Sequence, residues 1–199
     1  TCRFATTIGY AQYSKPSSPR SSNELLCEVP TWISDENELL HLSLLKGDDS
    51  NEILSRGDAS FLIYASWHST SVKTGNSRGS EDLVVFGNGF SLSGDASYEC
   101  VFRQGDAEMA SSPAEVASDS ELRCLTPLWD HAAGTSSLSL RRSGEDVVVH
   151  DIDASFVFFA SWVPEHTMKS IDASGGEDLW ITGNGFSTDG YFFVGEGAC

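Results

Sequence analysis

The stretch Asp58-Ala-Ser-Phe-Leu-Ile-Tyr-Ala-Ser-Trp67 returns 95 residues later as Asp153-Ala-Ser-Phe-Val-Phe-Phe-Ala-Ser-Trp162. Outward from it, Gly79-Ser-Glu-Asp-Leu83 with Gly87-Asn-Gly-Phe-Ser91 returns after 96 residues as Gly175-Gly-Glu-Asp-Leu179 with Gly183-Asn-Gly-Phe-Ser187. Cys27-Glu-Val-Pro-Thr-Trp32 returns after 97 as Cys124-Leu-Thr-Pro-Leu-Trp129. A period of about 96 residues is one small domain in tandem. The 199 residues divide into a first domain lacking its first strands (1–66), a complete domain (67–161) and the N-terminal part of a third (162–199). The first residues match the middle of a repeat, and the last stop where the next repeat reaches its first cysteine. The chain therefore reads as a window of a longer array.

Five cysteines follow the same period. Cys2 with Cys27 and Cys100 with Cys124 form two equivalent pairs, and Cys199 holds the first position of a third pair whose partner would lie further on. Matched spacing in two repeats predicts a disulfide in each, and hence an oxidising compartment. No Cys-x-x-Cys or His-x-x-x-His accompanies these cysteines, so no metal is expected. With 12 basic and 29 acidic residues the net charge is −17, which opposes nucleic acid and anionic membranes as partners. The longest apolar run, Phe156 to Val163, contains Ser161 and is too short to span a bilayer. No membrane insertion is expected in this window.

Short strand signals recur through the central repeat, and no helical period accompanies them. Val72-Lys73, Leu83–Phe86, Tyr98–Arg103, Ser120–Leu125, Leu138–Arg142, Val147–His150 and Ser155–Ala160 are the expected strands, and the polar stretch 104–118 is a loop or a weak strand. Seven strands in about 95 residues describe an all-β, immunoglobulin-like sandwich. Period-two alternation turns Leu42, Leu44, Leu83, Val85, Leu138, Leu140, Leu179 and Ile181 inward. Gly-Asn-Gly after a strand supplies the positive φ of a sharp turn, and Phe90 and Phe186 after it return to the core. Trp32 and Trp129 are expected to cover the disulfide or the end of the sandwich.

These motifs resemble those of a known family. Gly175-Gly-Glu-Asp-Leu-Trp-Ile-Thr-Gly-Asn-Gly-Phe186, the Leu122-Arg-Cys-Leu-Thr-Pro127 segment, a Leu-x-Leu strand and a closing Phe-x-Phe look like the immunoglobulin-like, plexin, transcription-factor (IPT/TIG) domain. The resemblance spans the whole chain. It implies tandem β-sandwiches, and the paired cysteines and acidic surface resemble the extracellular members, which form receptor stalks or long surface arrays. Two departures stand out. Ala-Ser-Trp fills the domain junction where the family has prolines, and Glu-Asp follows the glycine pair where small residues are common; together they put the angle between domains in doubt.

No enzyme signature is present. His41, His68, His131, His150 and His166 lie in no metal-binding pattern, and no Gly-x-Ser-x-Gly elbow occurs. Asp48-Asp49, Glu145-Asp146 and Glu177-Asp178 read as solvated turn charge, with weak calcium binding the alternative although no EF-hand-like spacing accompanies them. Arg56-Gly57-Asp58 matches an integrin-recognition tripeptide, but the next repeat carries Asp151-Ile152-Asp153 there, so the feature is not part of the array. The closing strands are more informative. Phe61, Ile63, Phe156 and Phe158 fill a core, which leaves Leu62, Tyr64, Val157 and Phe159 on the other face, with Trp180 similar on the second strand. Outward apolar residues need cover. The expected function is a non-enzymatic, cofactor-free structural segment of a secreted or cell-surface repeat protein, in an extracellular filament or coat. It would act as spacer and protein–protein interaction array, through self-assembly or other protein partners meeting its sandwich faces. The alternatives are the ectodomain stalk of a plexin- or fibrocystin-like receptor and a carbohydrate-binding module.

Overall fold

A computed structural model describes residues 1–32, 38–46, 51–53, 59–105, 107–149, 153–163, 173–176 and 181–187. Among the described residues all regular structure is β-strand. An N-terminal sheet has the order β2-β1-β3-β4, with β5 also on β3: β1 is Cys2–Thr6, β2 Ala11–Tyr13, β3 Glu38–Lys46, β4 Asn51–Ile53 and β5 Ser60–Ile63. The central sheet is built from β6 (Ser66–Thr70), β7 (Thr74–Asn76), β8 (Asp82–Asn88), β9 (Tyr98–Gln104), β10 (Ala107–Ser118), β11 (Glu121–Leu125) and β12 (Gly134–Arg142). The short β13 (Glu145–Asp146) and β14 (Val148–Val149) and the closing β15 (Ser155–Phe159) complete it. Its order is β14-β6-β8-β11-β10-β9-β12-β15-β7, with β13 on β12. A C-terminal pair joins β16 (Ser161–Val163) to β17 (Thr182–Asn184).

The central sheet doubles over along β10. Strands two apart in a flat sheet stand about 9.5 Å from each other. Cys100 of β9 and Cys124 of β11 flank β10, yet their Cα atoms are 6.5 Å apart and their sulfurs are bonded. Register shifts between Glu108 and Ala110 and between Val116 and Ser118 mark β10, and such bulges bend a strand. The fold-over lays β6, β8 and β11 against β9, β12 and β15. One buried cluster fills the space, with Trp67, Leu83, Val85 and Leu122 from one side and Phe102, Leu138, Leu140, Phe156 and Phe158 from the other.

One open strand expectation is decided and another needs correction. The stretch 104–118 is mostly the twelve-residue β10. Ala110, Ala114 and Val116 pack on the core, and side chains this small give little apolar signal although the backbone pairs on both edges. Val72-Lys73 is not a strand. The chain pairs before it, as β6 on β8, and after it, as β7 parallel to β15, so residues 71–73 are the crossing between opposite sides.

The sheets share their registers. Cys100 stands opposite Leu140 and Phe102 opposite Leu138. In the N-terminal sheet Cys2 stands opposite Leu44 and Phe4 opposite Leu42. Ser66 faces Asn88 and Trp67 faces Gly87, and in the C-terminal pair Ser161 faces Asn184 and Trp162 faces Gly183. Gly87 explains the turn sequence. A Cβ there would meet the Ser66 carbonyl oxygen, lie 2.5 Å from the Phe90 ring and 2.9 Å from the Trp67 Cα; Gly183 is crowded the same way by Ser161, Phe186 and Trp162. Gly87→Ala is therefore expected to destabilise the chain by about 2–3 kcal/mol through overpacking, read as a fall in the urea midpoint. An unchanged midpoint would show that the strand pair separates at no cost.

Candidate interaction surfaces

The closing strand β15 sits between β12 and β7. Phe156 and Phe158 point into the core, where the Phe158 ring stacks on Trp129 at 4.3 Å and 8°. Trp129 is thus a core residue at the end of the sheet, with its indole N–H donated to the Ala132 carbonyl at 3.1 Å. Val157 is half-buried, and Phe159 is exposed. In the N-terminal sheet Leu62 and Tyr64 are exposed, and they line a cleft of about 670 Å³ with Ala96, Arg142, Asp146 and Val148 of the central sheet. Arg56, Gly57, Asp58, Trp180 and Cys199 lie outside the described residues, as do Leu179, Asp48-Asp49 and Glu177-Asp178. Asp146 is not merely a solvated turn carboxylate: Arg103 and Arg141 reach it at 3.7 and 3.4 Å.

Cys2 is bonded to Cys27 and Cys100 to Cys124, across 25 and 24 residues of chain. Cys2, Cys100 and Cys124 are buried and Cys27 is half-buried. No group of three His, Cys, Asp or Glu side chains converges among the described residues.

The junctions repeat. β5 ends at Ile63 and β6 begins at Ser66; β15 ends at Phe159 and β16 begins at Ser161. At each junction the second glycine of Gly-Asn-Gly is held in the left-handed region, with φ of 77° at Gly89 and 79° at Gly185. A Cβ at Gly89 would lie 3.4 Å from the Cα of Ala65, and one at Gly185 would lie 3.0 Å from the Cα of Ala160. The Ala133 N–H donates to the Gly185 carbonyl at 2.9 Å, tying the second junction to the loop after Trp129. At the first junction the Trp32 carbonyl lies 3.7 Å from the same point on Gly89, and the Trp32 indole N–H donates to Glu38 at 2.9 Å.

Glu81 has a role the sequence reading passed over. Its carboxylate accepts the Asn76 backbone N–H at 2.9 Å and the Asn76 amide at 2.7 Å, which pins the end of β7 to the start of β8. The recurrence of Glu-Asp after the glycine pair in both copies was the available signal. Asp153 holds the start of β15 similarly. The Ser155 hydroxyl and N–H donate to it at 2.8 and 3.0 Å. These bonds, with Lys73 nearby, lower its pKa below the ordinary carboxylate range. A lowered pKa means the contribution is complete above that range and is lost as pH falls through the lowered value.

Both outer parts carry apolar residues that the central sheet buries. Trp67 is 1% exposed and its counterpart Trp162 is 61% exposed. Val85 is 1% exposed, whereas Ile181 is 55% exposed. Leu122 is 0% exposed and its counterpart Leu25 is 38% exposed. Phe186 is likewise exposed where Phe90 is buried. The inward positions expected for Ile181 and Phe186 are corrected accordingly: among the described residues the C-terminal pair has no facing layer. Leu42, Leu44, Phe61 and Ile63 are half-buried, again less covered than Leu138, Leu140, Phe156 and Phe158.

Compared with known proteins, the chain matches no family model and no curated protein. Its surfaces are therefore read from their own chemistry. Adjacent residues of β15 should separate cleanly on substitution. Phe158→Ala removes a stacked core ring and is expected to cost about 3–5 kcal/mol. Phe159→Ala is expected to stay within about 0.5 kcal/mol, as exposed sites do. Denaturant unfolding of the two variants measures this, and equal losses would place Phe159 in the core.

Proposed function

We propose that the chain is a non-enzymatic structural segment of a secreted or cell-surface repeat protein. In this reading, residues 1–66, 67–161 and 162–199 are successive immunoglobulin-like sandwiches of the IPT/TIG type, about 96 residues apart. The observation that carries it is the repeated junction. At both, the same strand pair forms with its first two residue pairs in the same register, and the same left-handed glycine packs on the alanine that ends the preceding unit. A junction with so little slack transmits force and orientation from unit to unit, which is what a spacer needs. The disulfides support an oxidising, extracellular setting. The acidic surface keeps such an array soluble. Leu62, Tyr64 and Phe159 offer apolar contact to protein partners.

Pulling the chain between its ends in single-molecule force spectroscopy tests the spacer role. The central unit is expected to open in one resolved step under oxidising conditions. Reduction should lengthen that step by about 80 Å, the reach of the 24 residues locked between Cys100 and Cys124. Extension without a resolved step would contradict a mechanical role.

A further inference from the structure

We propose that the Cys100–Cys124 bond is a gated redox latch. A small thiol reduces it only after the doubled-over central sheet has come apart, and reduction then frees the chain held between the two cysteines. The gate rests on the central sheet alone; its use, as a reserve of length, rests on the spacer reading.

The bond is covered from both layers. Cys100 is 0% exposed and Cys124 is 5% exposed, and both belong to the central buried cluster. Cys100 stands opposite Leu140 on β12 and Ser112 on β10. Cys124 stands opposite Leu83 on β8 and Ala114 on β10. Leu83 and Leu140 are themselves buried. Thiol–disulfide exchange needs an attacking thiolate to reach one of the two sulfurs. While β8 and β11 lie against β9 and β12, core side chains fill that approach.

Opening the sheet removes the obstacle. A thiolate then attacks one sulfur, and the other cysteine leaves as a thiolate with the electron pair of the S–S bond. A second reductant thiolate displaces the first cysteine from the mixed disulfide. Both cysteines take up protons and end as thiols, and the reductant ends as its own disulfide. The bond restricts the open chain, so its loss favours the open state. A unit reduced while open is therefore biased to stay open.

The placement suits a chain under load. β6, β7 and β8 precede Cys100, and β12 and β15 follow Cys124. Load entering at β6 and leaving at β15 runs through the two sulfurs once those strands have peeled away. Residues 101–123 bear none of it until the bond is cut.

Reduction kinetics on the full chain test the gate. Dithiothreitol is added, aliquots are quenched with iodoacetamide, and peptide mass spectrometry reads Cys100 and Cys124. Reduction in native buffer is expected to be at least about a thousandfold slower than in denaturing urea, matching the rarity of the open state. Urea below the unfolding midpoint should raise the rate log-linearly, with the slope it gives to unfolding. Phe158→Ala should speed native reduction about a hundredfold or more, and the exposed Phe159→Ala should stay within about threefold. The urea series on the wild-type chain decides the matter if Phe158→Ala does not fold. Native reduction as fast as in denaturing urea, a rate indifferent to urea below the midpoint, or equal acceleration by both variants would each overturn the gate. Pulling the oxidised chain in dithiothreitol tests the use. A second step of about 80 Å should follow opening of the central unit, at a rate proportional to thiol concentration. A second step indifferent to thiol overturns the latch and leaves the spacer reading standing. Extension with no resolved opening step removes the spacer reading and the length reserve together, and the solution kinetics still decide the gate.

Discussion

A β-sheet with one apolar face has to have that face covered, and in this chain the central sheet meets the requirement by folding over on itself. The bulged strand β10 is the crease, and the Cys100–Cys124 bond crosses it. Once the crease is made, Trp67, Val85 and Leu122 come to lie against Phe102, Phe156 and Phe158, and the core exists. Without it, both faces would be amphipathic sheets open to water. In the chain-entropy view the disulfide favours this state by restricting the unfolded chain, an effect of about 3 kcal/mol for a loop of this size.

The junctions depend on the same requirement at one remove. The Gly-Asn-Gly turn lets β8 pass so close to β6 that no Cβ is tolerated at Gly87. Phe90 folds back under it onto the core. The next glycine, free to take positive φ, brings the turn against the end of the preceding sheet. One four-residue motif therefore closes a strand, plugs a core and sets the approach of the neighbouring unit. The same motif at 183–186 makes the same local contacts, but Phe186 and Trp162 remain exposed because no second layer faces them among the described residues. Local geometry is thus specified by local sequence, and burial is specified by the facing sheet.

That distinction also separates what was legible in the sequence from what was not. The β character, the two cysteine pairs and the inward alternation of Leu83 with Val85 and Leu138 with Leu140 follow from period and spacing, and the structure carries them. β10 was obscured because its inward positions are Ala110, Ala114 and Val116 among serines, and because its pairing is supplied by long-range neighbours. The crossing at Val72-Lys73 read as a strand because a β-branched residue carries the propensity, whereas the real pairing lies in the polar Ser66–Thr70. The clamp at Glu81 had no apolar signature; two hydrogen bonds to Asn76 define it. Exposure at Trp162, Ile181 and Leu25 was beyond any reading of local pattern, since their buried counterparts have the same or similar residue types in the same places.

The central claim is that the outer parts are half-covered versions of the sheet that the middle of the chain completes. Amide hydrogen exchange, followed by mass spectrometry, addresses it strand by strand. The account predicts that β8, β9, β11 and β12 exchange slowly and that β3 and β17 exchange quickly. Protection of β3 and β17 equal to that of the central strands would contradict it.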